Sequence, residues 1–136
     1  MQNPPPVQTA KSSTGLDENV AALLSYVLNW VSGLVFFLIE KTSRLVRFHA
    51  MQSILLTAVG VVLFFVLWIF WFIGLFVTSQ LPGMLASLLG LLLTLIWVVF
   101  WVGLTIAWIM CLVKAYQGKY FKLPIIGNLA EKFSTK

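Results

Sequence analysis

AMQSILLTAVGVVLFFVLWIFWFIGLFV, residues 50–77, decides the fold class. It contains no Asp, Glu, Lys or Arg. About 20 apolar residues cross a hydrocarbon core of about 30 Å as a helix. At about 1.5 Å per residue this run would be about 42 Å long, so it must tilt, bend or project beyond the core. A strand reading fails: the run has no period-two alternation, and an open sheet cannot sit in lipid.

Two further runs share that character. VAALLSYVLNWVSGLVFFLI covers 20–39, and MLASLLGLLLTLIWVVFWVGLTIAWIMCLV covers 84–113. The expectation is an all-α membrane protein with three transmembrane helices, over about 20–39, 50–77 and 84–113, and a short amphipathic C-terminal segment. Composition agrees, with 60% hydrophobic and 10% charged residues, against about 25% charged in ordinary soluble domains. At 136 residues the chain is one domain. It reads as a flexible Pro/Ser/Thr-rich tail over 1–18, a transmembrane domain over 19–113 and a basic interfacial segment over 114–136. The run at 20–39 is too long for a typical signal-peptide core and has no A-x-A-like site behind it, so it reads as a retained helix. Ile126, Leu129, Ala130 and Phe133 stand at helical spacing near the end of the chain, where a short interfacial helix is expected although Gly127 weakens it.

Charge gives orientation. The tail holds one cation, Lys11; the first loop holds Lys41, Arg44 and Arg47; the second loop, TSQLPG, holds none; Lys114, Lys119, Lys122, Lys132 and Lys136 follow the third run. With three spans, eight of the nine cations share one side. Basic loops stay in the cytoplasm, which places the C-terminus inside and the N-terminus outside, in a bacterial inner membrane.

Small and weakly polar residues form stripes that fit helix packing in lipid. Ser25, Asn29 and Ser32 mark the first run, Ser53, Thr57 and Gly60 the second, and Gly90, then Gly103, Ala107 and Cys111, the third. In EKTSRLVRFHAMQS, residues 40–53, Lys41, Arg44 and Arg47 lie three apart, so they spread over one basic face. Glu40 precedes Arg44 by four, the favourable order for an ion pair. Lys41, Arg44, Arg47, His49 and Gln52 are therefore the candidate lipid- or partner-binding residues, with His49 bonding Gln52, Ser53 or a headgroup.

The inventory for catalysis is poor. None of the four carboxylates lies within a span, His49 is the one histidine, and no phosphate loop or metal-ligand spacing is present. An enzyme is not expected. The lone Cys111 forms no intramolecular disulfide and reads as a buried thiol. No cofactor is evident; tetrapyrrole or quinone contact is the minor alternative, at His49 or at the aromatics around Trp97 and Trp101. Expected partners are membrane lipids with anionic headgroups, and other membrane subunits or further copies of the chain, but not nucleic acid.

The segments ALLSYVLNW, LVFFLIEKTSRLVRFHAMQSIL and AYQGKYFKLPIIGNLAEKF resemble the small prokaryotic membrane proteins grouped with the Tic-type chloroplast protein-import component. The resemblance covers nearly everything after residue 18. It implies a helical integral membrane protein and brings in a translocation role. Two functions follow for test: an accessory or assembly subunit of a larger membrane complex, pigment-bearing or electron-transfer in one version, and an oligomeric translocation or channel component.

Overall fold

The computed structural model describes residues 10–135. The Pro-rich start of the tail, residues 1–9, and Lys136 of the basic segment lie outside the described residues. Five helices form among the described residues: α1 Glu18–Val27, α2 Trp30–Ile39, α3 Arg44–Ser79, α4 Gly83–Tyr116 and α5 Ile126–Ser134. The chain divides into two compact units, one of Met1–Thr57 with Met110–Lys136 and the other of Ala58–Ile109.

Two helices, α3 and α4, are long and apolar enough to cross a membrane. They contain the runs 50–77 and 84–113, and α3 starts six residues before its run, taking Arg44 and Arg47 into its first turns. The run at 20–39 departs from expectation. It forms two helices of ten residues, not one of twenty, so three spans are not reached by continuous helices. The break has a local cause. The Ser32 hydroxyl enters the backbone ladder, accepting the Leu28 N–H at 3.0 Å and donating to the Ser25 carbonyl at 3.0 Å. That carbonyl is the one a continuous helix would offer to the Asn29 N–H. Asn29 turns instead to φ 52°, a left-handed conformation that Asn tolerates better than most residues. Side-chain insertion into the ladder is a recognised origin of sharp kinks.

In the unit of Ala58–Ile109, the α3 and α4 segments run antiparallel. Gly60 faces Leu104, Phe64 meets Trp97 edge-on at 5.6 Å, and Trp71 meets Trp97 at 6.1 Å. A Cβ on Gly74 would collide with Leu93. Most large apolar side chains here are exposed, as lipid-facing residues are. The helices are joined by a short turn in which the Gln80 N–H bonds the Val77 carbonyl and the Leu81 N–H that of Thr78.

The other unit has a buried core. Ala21, Ala22 and Tyr26 of α1, Leu45, Val46, Phe48 and Ala50 of α3, Cys111 and Ala115 of α4, and Ala130 of α5 are all buried. Residues 10–17 form a turn: the Ser12 N–H bonds the Leu16 carbonyl at 2.8 Å, and Gly15 supplies the positive φ of 83°. The short amphipathic helix expected near the C-terminus is α5. Its Gly127 is required by contact, since a Cβ there would stand 2.6 Å from the Lys122 backbone.

Candidate functional site

The site is built from the first turns of α3, the end of α4 and the segment behind it. Ser43 starts α3, its hydroxyl accepting the Val46 N–H at 3.3 Å as an N-cap does. From there His49 and Gln52 fall three apart on one helix face, and both are fully buried. At the other end, Gly118 adopts φ 68°. The Lys119 N–H then bonds the Lys114 carbonyl and the Gly118 N–H that of Ala115, each at 3.0 Å. This is a Schellman stop. It folds the chain back so that the carbonyls of Lys119 and Phe121 face α3.

A buried polar cluster results. One His49 nitrogen, Nε2, lies 2.9 Å from the Lys119 carbonyl, and the other, Nδ1, 3.0 Å from the Tyr26 hydroxyl. A carbonyl only accepts, so Nε2 carries the hydrogen and, in the neutral ring, Tyr26 donates to Nδ1. The two hydrogens of the Gln52 amide nitrogen are shared among the Phe121 carbonyl at 3.0 Å, the Tyr26 oxygen at 3.2 Å and Cys111 Sγ at 3.3 Å. His49 thus spans helices; it does not bond Gln52 or Ser53 as expected, and both its nitrogens are engaged, which leaves none for an axial bond to a tetrapyrrole. The cluster ties α1, α3, α4 and the segment after α4 together by side chains that would be costly to leave unpaired.

A second network surrounds Glu40. Its carboxylate accepts the N–H groups of Ser43 at 2.8 Å and Thr42 at 2.9 Å, and both the N–H and the hydroxyl of Ser13. Burial by itself would raise this carboxyl. The N–H of Ser43, the Ser13 hydroxyl and the N–H groups of Thr42 and Ser13 outweigh it and hold the group at about 2. The expected ion pair with Arg44 is not formed. Arg47 lies over the Phe37 ring at 4.8 Å and donates to the carbonyls of Glu40 at 3.1 Å and Ser134 at 3.2 Å. Lys41 and Arg44 are exposed. Arg44 lines an open groove of about 350 Å³ with Phe48, Tyr120, Lys122, Glu131, Ser134 and Thr135.

Lys41, Arg44, Arg47, His49 and Gln52 therefore share a region but not an environment: two are exposed, Arg47 is half-buried and two are core. Among the packing candidates, Ser25 and Ser32 are buried at the α1–α2 break. Asn29 is exposed and contributes through its backbone, whose carbonyl accepts the Ser53 hydroxyl at 2.9 Å. Thr57 bonds its own helix at the Ser53 carbonyl, and Gly60 meets Leu104. Ala107 is half-buried, and a Cβ on Gly90 or Gly103 would meet no described neighbour within 4 Å. Sequence reading missed Ser13, Tyr26 and Gly33. A Cβ on Gly33 would stand 2.9 Å from the Ala50 carbonyl. Nothing in the local sequence marks Ser13 as the partner of Glu40, whereas Gly33 beside Ser32 is a visible signal of close approach. No group of three His, Cys, Asp or Glu converges among the described residues.

Comparison with known proteins bears on this arrangement. Residues 15–130 match the magnetosome magnetite crystal formation protein family, MamF/MmsF. A UPF0132 membrane protein of Methanocaldococcus jannaschii is 38% identical over 124 residues, covering 91% of this chain and 94% of the relative. A UPF0132 membrane protein of Archaeoglobus fulgidus is 37% identical over 117 residues, covering 86% and 95%. No solved structure matches the chain.

Proposed function

The chain belongs to the magnetosome magnetite crystal formation protein family, and from that premise we propose that it is a non-enzymatic accessory subunit of a larger membrane complex, presenting a basic face to its surroundings. The carrying observation is the way its acids are used. Glu40 is enclosed by Ser13, Thr42 and Ser43, and among the described residues the one ion pair joins Lys122 to Glu131 at 2.6 Å. Lys41 and Arg44 keep their charge exposed, and Lys114, Lys119 and Lys132 add to the same unit. Such a surface is drawn to anionic headgroups by about 1 kcal/mol per cation. The same surplus supports a cytoplasmic position for the basic C-terminal segment in an inner membrane. Mineral chemistry is not part of the reading: the chain has four acidic residues in all, and one of them is consumed as an internal cap. Purification from native membranes tests the proposal. Stoichiometric membrane partners that leave when Lys41 and Arg44 are replaced by Gln support it. Isolation of the chain alone, with or without the substitutions, overturns it.

A second reading, an oligomeric translocation component of the Tic type, draws on the open positions at Gly90 and Gly103. Small residues without a neighbour among the described residues leave room for the backbone of another copy. Peptide or ion flux from the purified oligomer in liposomes would favour it over the accessory role.

A further inference from the structure

We propose that the first apolar segment does not cross the bilayer: α1 and α2 form a re-entrant hairpin, so the N-terminal and C-terminal segments lie on the same face. The inference needs the membrane location but not the accessory role.

The first turns of α3 serve as a ruler. At one end of the hairpin, the Glu40 carboxylate sits on the Ser43 N–H. Tyr26 stands beside His49, the Asn29 carbonyl beside Ser53, and Gly33 beside Ala50, Ser53 and Ile54. The excursion along α3 therefore runs from Ser43 to Ile54, about 16 Å at the helical rise. A hydrocarbon core is about 30 Å thick. The segment goes in about half-way and comes back.

Both arms are tied to groups that also hold the chain's other end. Ser13 donates to Glu40 across the mouth of the hairpin. Asn19, in the first turn of α1, donates its amide to the Tyr116 carbonyl at the end of α4, at 3.1 Å. Arg47 reaches the Ser134 carbonyl at the end of α5. Residues 13, 19, 40, 116 and 134 thus lie in one unit, near one another through these bonds. A spanning first helix would carry Asn19 and Glu40 to opposite faces.

The tip meets the requirement that lipid places on irregular backbone. Groups released by a broken helix must find partners within the protein. Here the Ser32 hydroxyl takes the Leu28 N–H and the Ser25 carbonyl, and the Ser53 hydroxyl takes the Asn29 carbonyl. Outer side chains of the hairpin suit acyl chains: Leu28 and Leu38 are 65% exposed. The charge count sharpens as well. With α3 and α4 as the only spans, Lys11 joins the other eight cations, and the opposite loop keeps none. Positive charge is then wholly one-sided, the stronger form of the rule that set the orientation.

Single cysteines at Lys11, Gln80 and Thr135, in a Cys111→Ser background, test the hairpin with a membrane-impermeant maleimide on intact cells and on inverted vesicles. Labelling of Lys11→Cys and Thr135→Cys from the same side, with Gln80→Cys reached from the other, is the expected result. Labelling of Lys11→Cys and Thr135→Cys from opposite sides overturns the proposal. An epitope ahead of Met1 on the otherwise unaltered chain decides any unlabelled case. Its digestion by protease in the preparation that also exposes a C-terminal epitope supports the hairpin, and its protection there overturns it.

Discussion

Ser13 donates its backbone N–H at 2.9 Å and its hydroxyl at 2.8 Å to the carboxylate of Glu40, residues 27 apart in sequence. One acid thereby fastens the N-terminal turn to the entrance of α3.

That bond set has a pH signature. Glu40 ionises at about 2 in the fold against an ordinary 4.5. Its folded value is depressed, so its contribution is complete above 4.5 and is lost as pH falls through about 2. Proteolysis of the N-terminal segment in detergent should accelerate between pH 4.5 and 2, and Glu40→Gln should show the fast rate already at neutral pH. A wild-type rate for that variant at every pH would contradict the capping role.

The two arginines should behave differently. Arg47→Gln removes bonds to Glu40 and Ser134 and should lower thermal stability, by about 1–3 kcal/mol for charged hydrogen bonds. Arg44→Gln should leave melting unchanged and reduce the anionic lipid retained after extraction about fivefold, the equivalent of about 1 kcal/mol. Native mass spectrometry of the two variants reads both effects.

Glycines separate in the same way. Gly33→Leu should destabilise the isolated chain, because Ala50, Ser53 and Ile54 stand in its path. Gly103→Leu meets no described neighbour. It should melt like wild type in a monomeric detergent state and lose oligomer in a milder one if copies pack there.

Repairing the kink is a direct test of its cause. Ser32→Ala with Asn29→Leu removes the inserted hydroxyl and the residue suited to positive φ. The two short helices should fuse, and a measurable share of molecules should change the side on which Lys11→Cys is labelled. No change in labelling, together with an unaltered melting profile, would show that the break does not depend on these two side chains.

Much of this fold was legible because charge-free runs of such length have few destinies. The existence of α3, α4 and α5 followed from composition and spacing, whereas α3 begins at Arg44 and α4 ends at Tyr116, beyond the charge-free runs. The break at Asn29 did not follow, since a straight helix and a kinked one share the same mean polarity. Its signal is present in Ser25, Asn29 and Ser32, whose spacing equally fits a stripe for neighbouring helices, although Ser32 bonds within its own segment. The partners of His49 were beyond reach for another reason. Lys119 contributes a backbone carbonyl 70 residues away, and a carbonyl has no identity in sequence. Helical spacing pairs Glu40 with Arg44, but α3 begins only at Arg44, so that spacing does not apply.

The turn between α3 and α4 bears on how the protein is made. Thr78 and Ser79 bond carbonyls of their own helix, at Leu75 and Phe76, which leaves the Gln80 amide as the one large polar side chain at the turn. An ionised group carried across a membrane works with or against about 2.3 kcal/mol per 100 mV. This turn carries none, so its passage is indifferent to the membrane potential. Depolarising cells during synthesis should therefore not hinder transfer of this turn, which draws on the apolar length of α3 and α4.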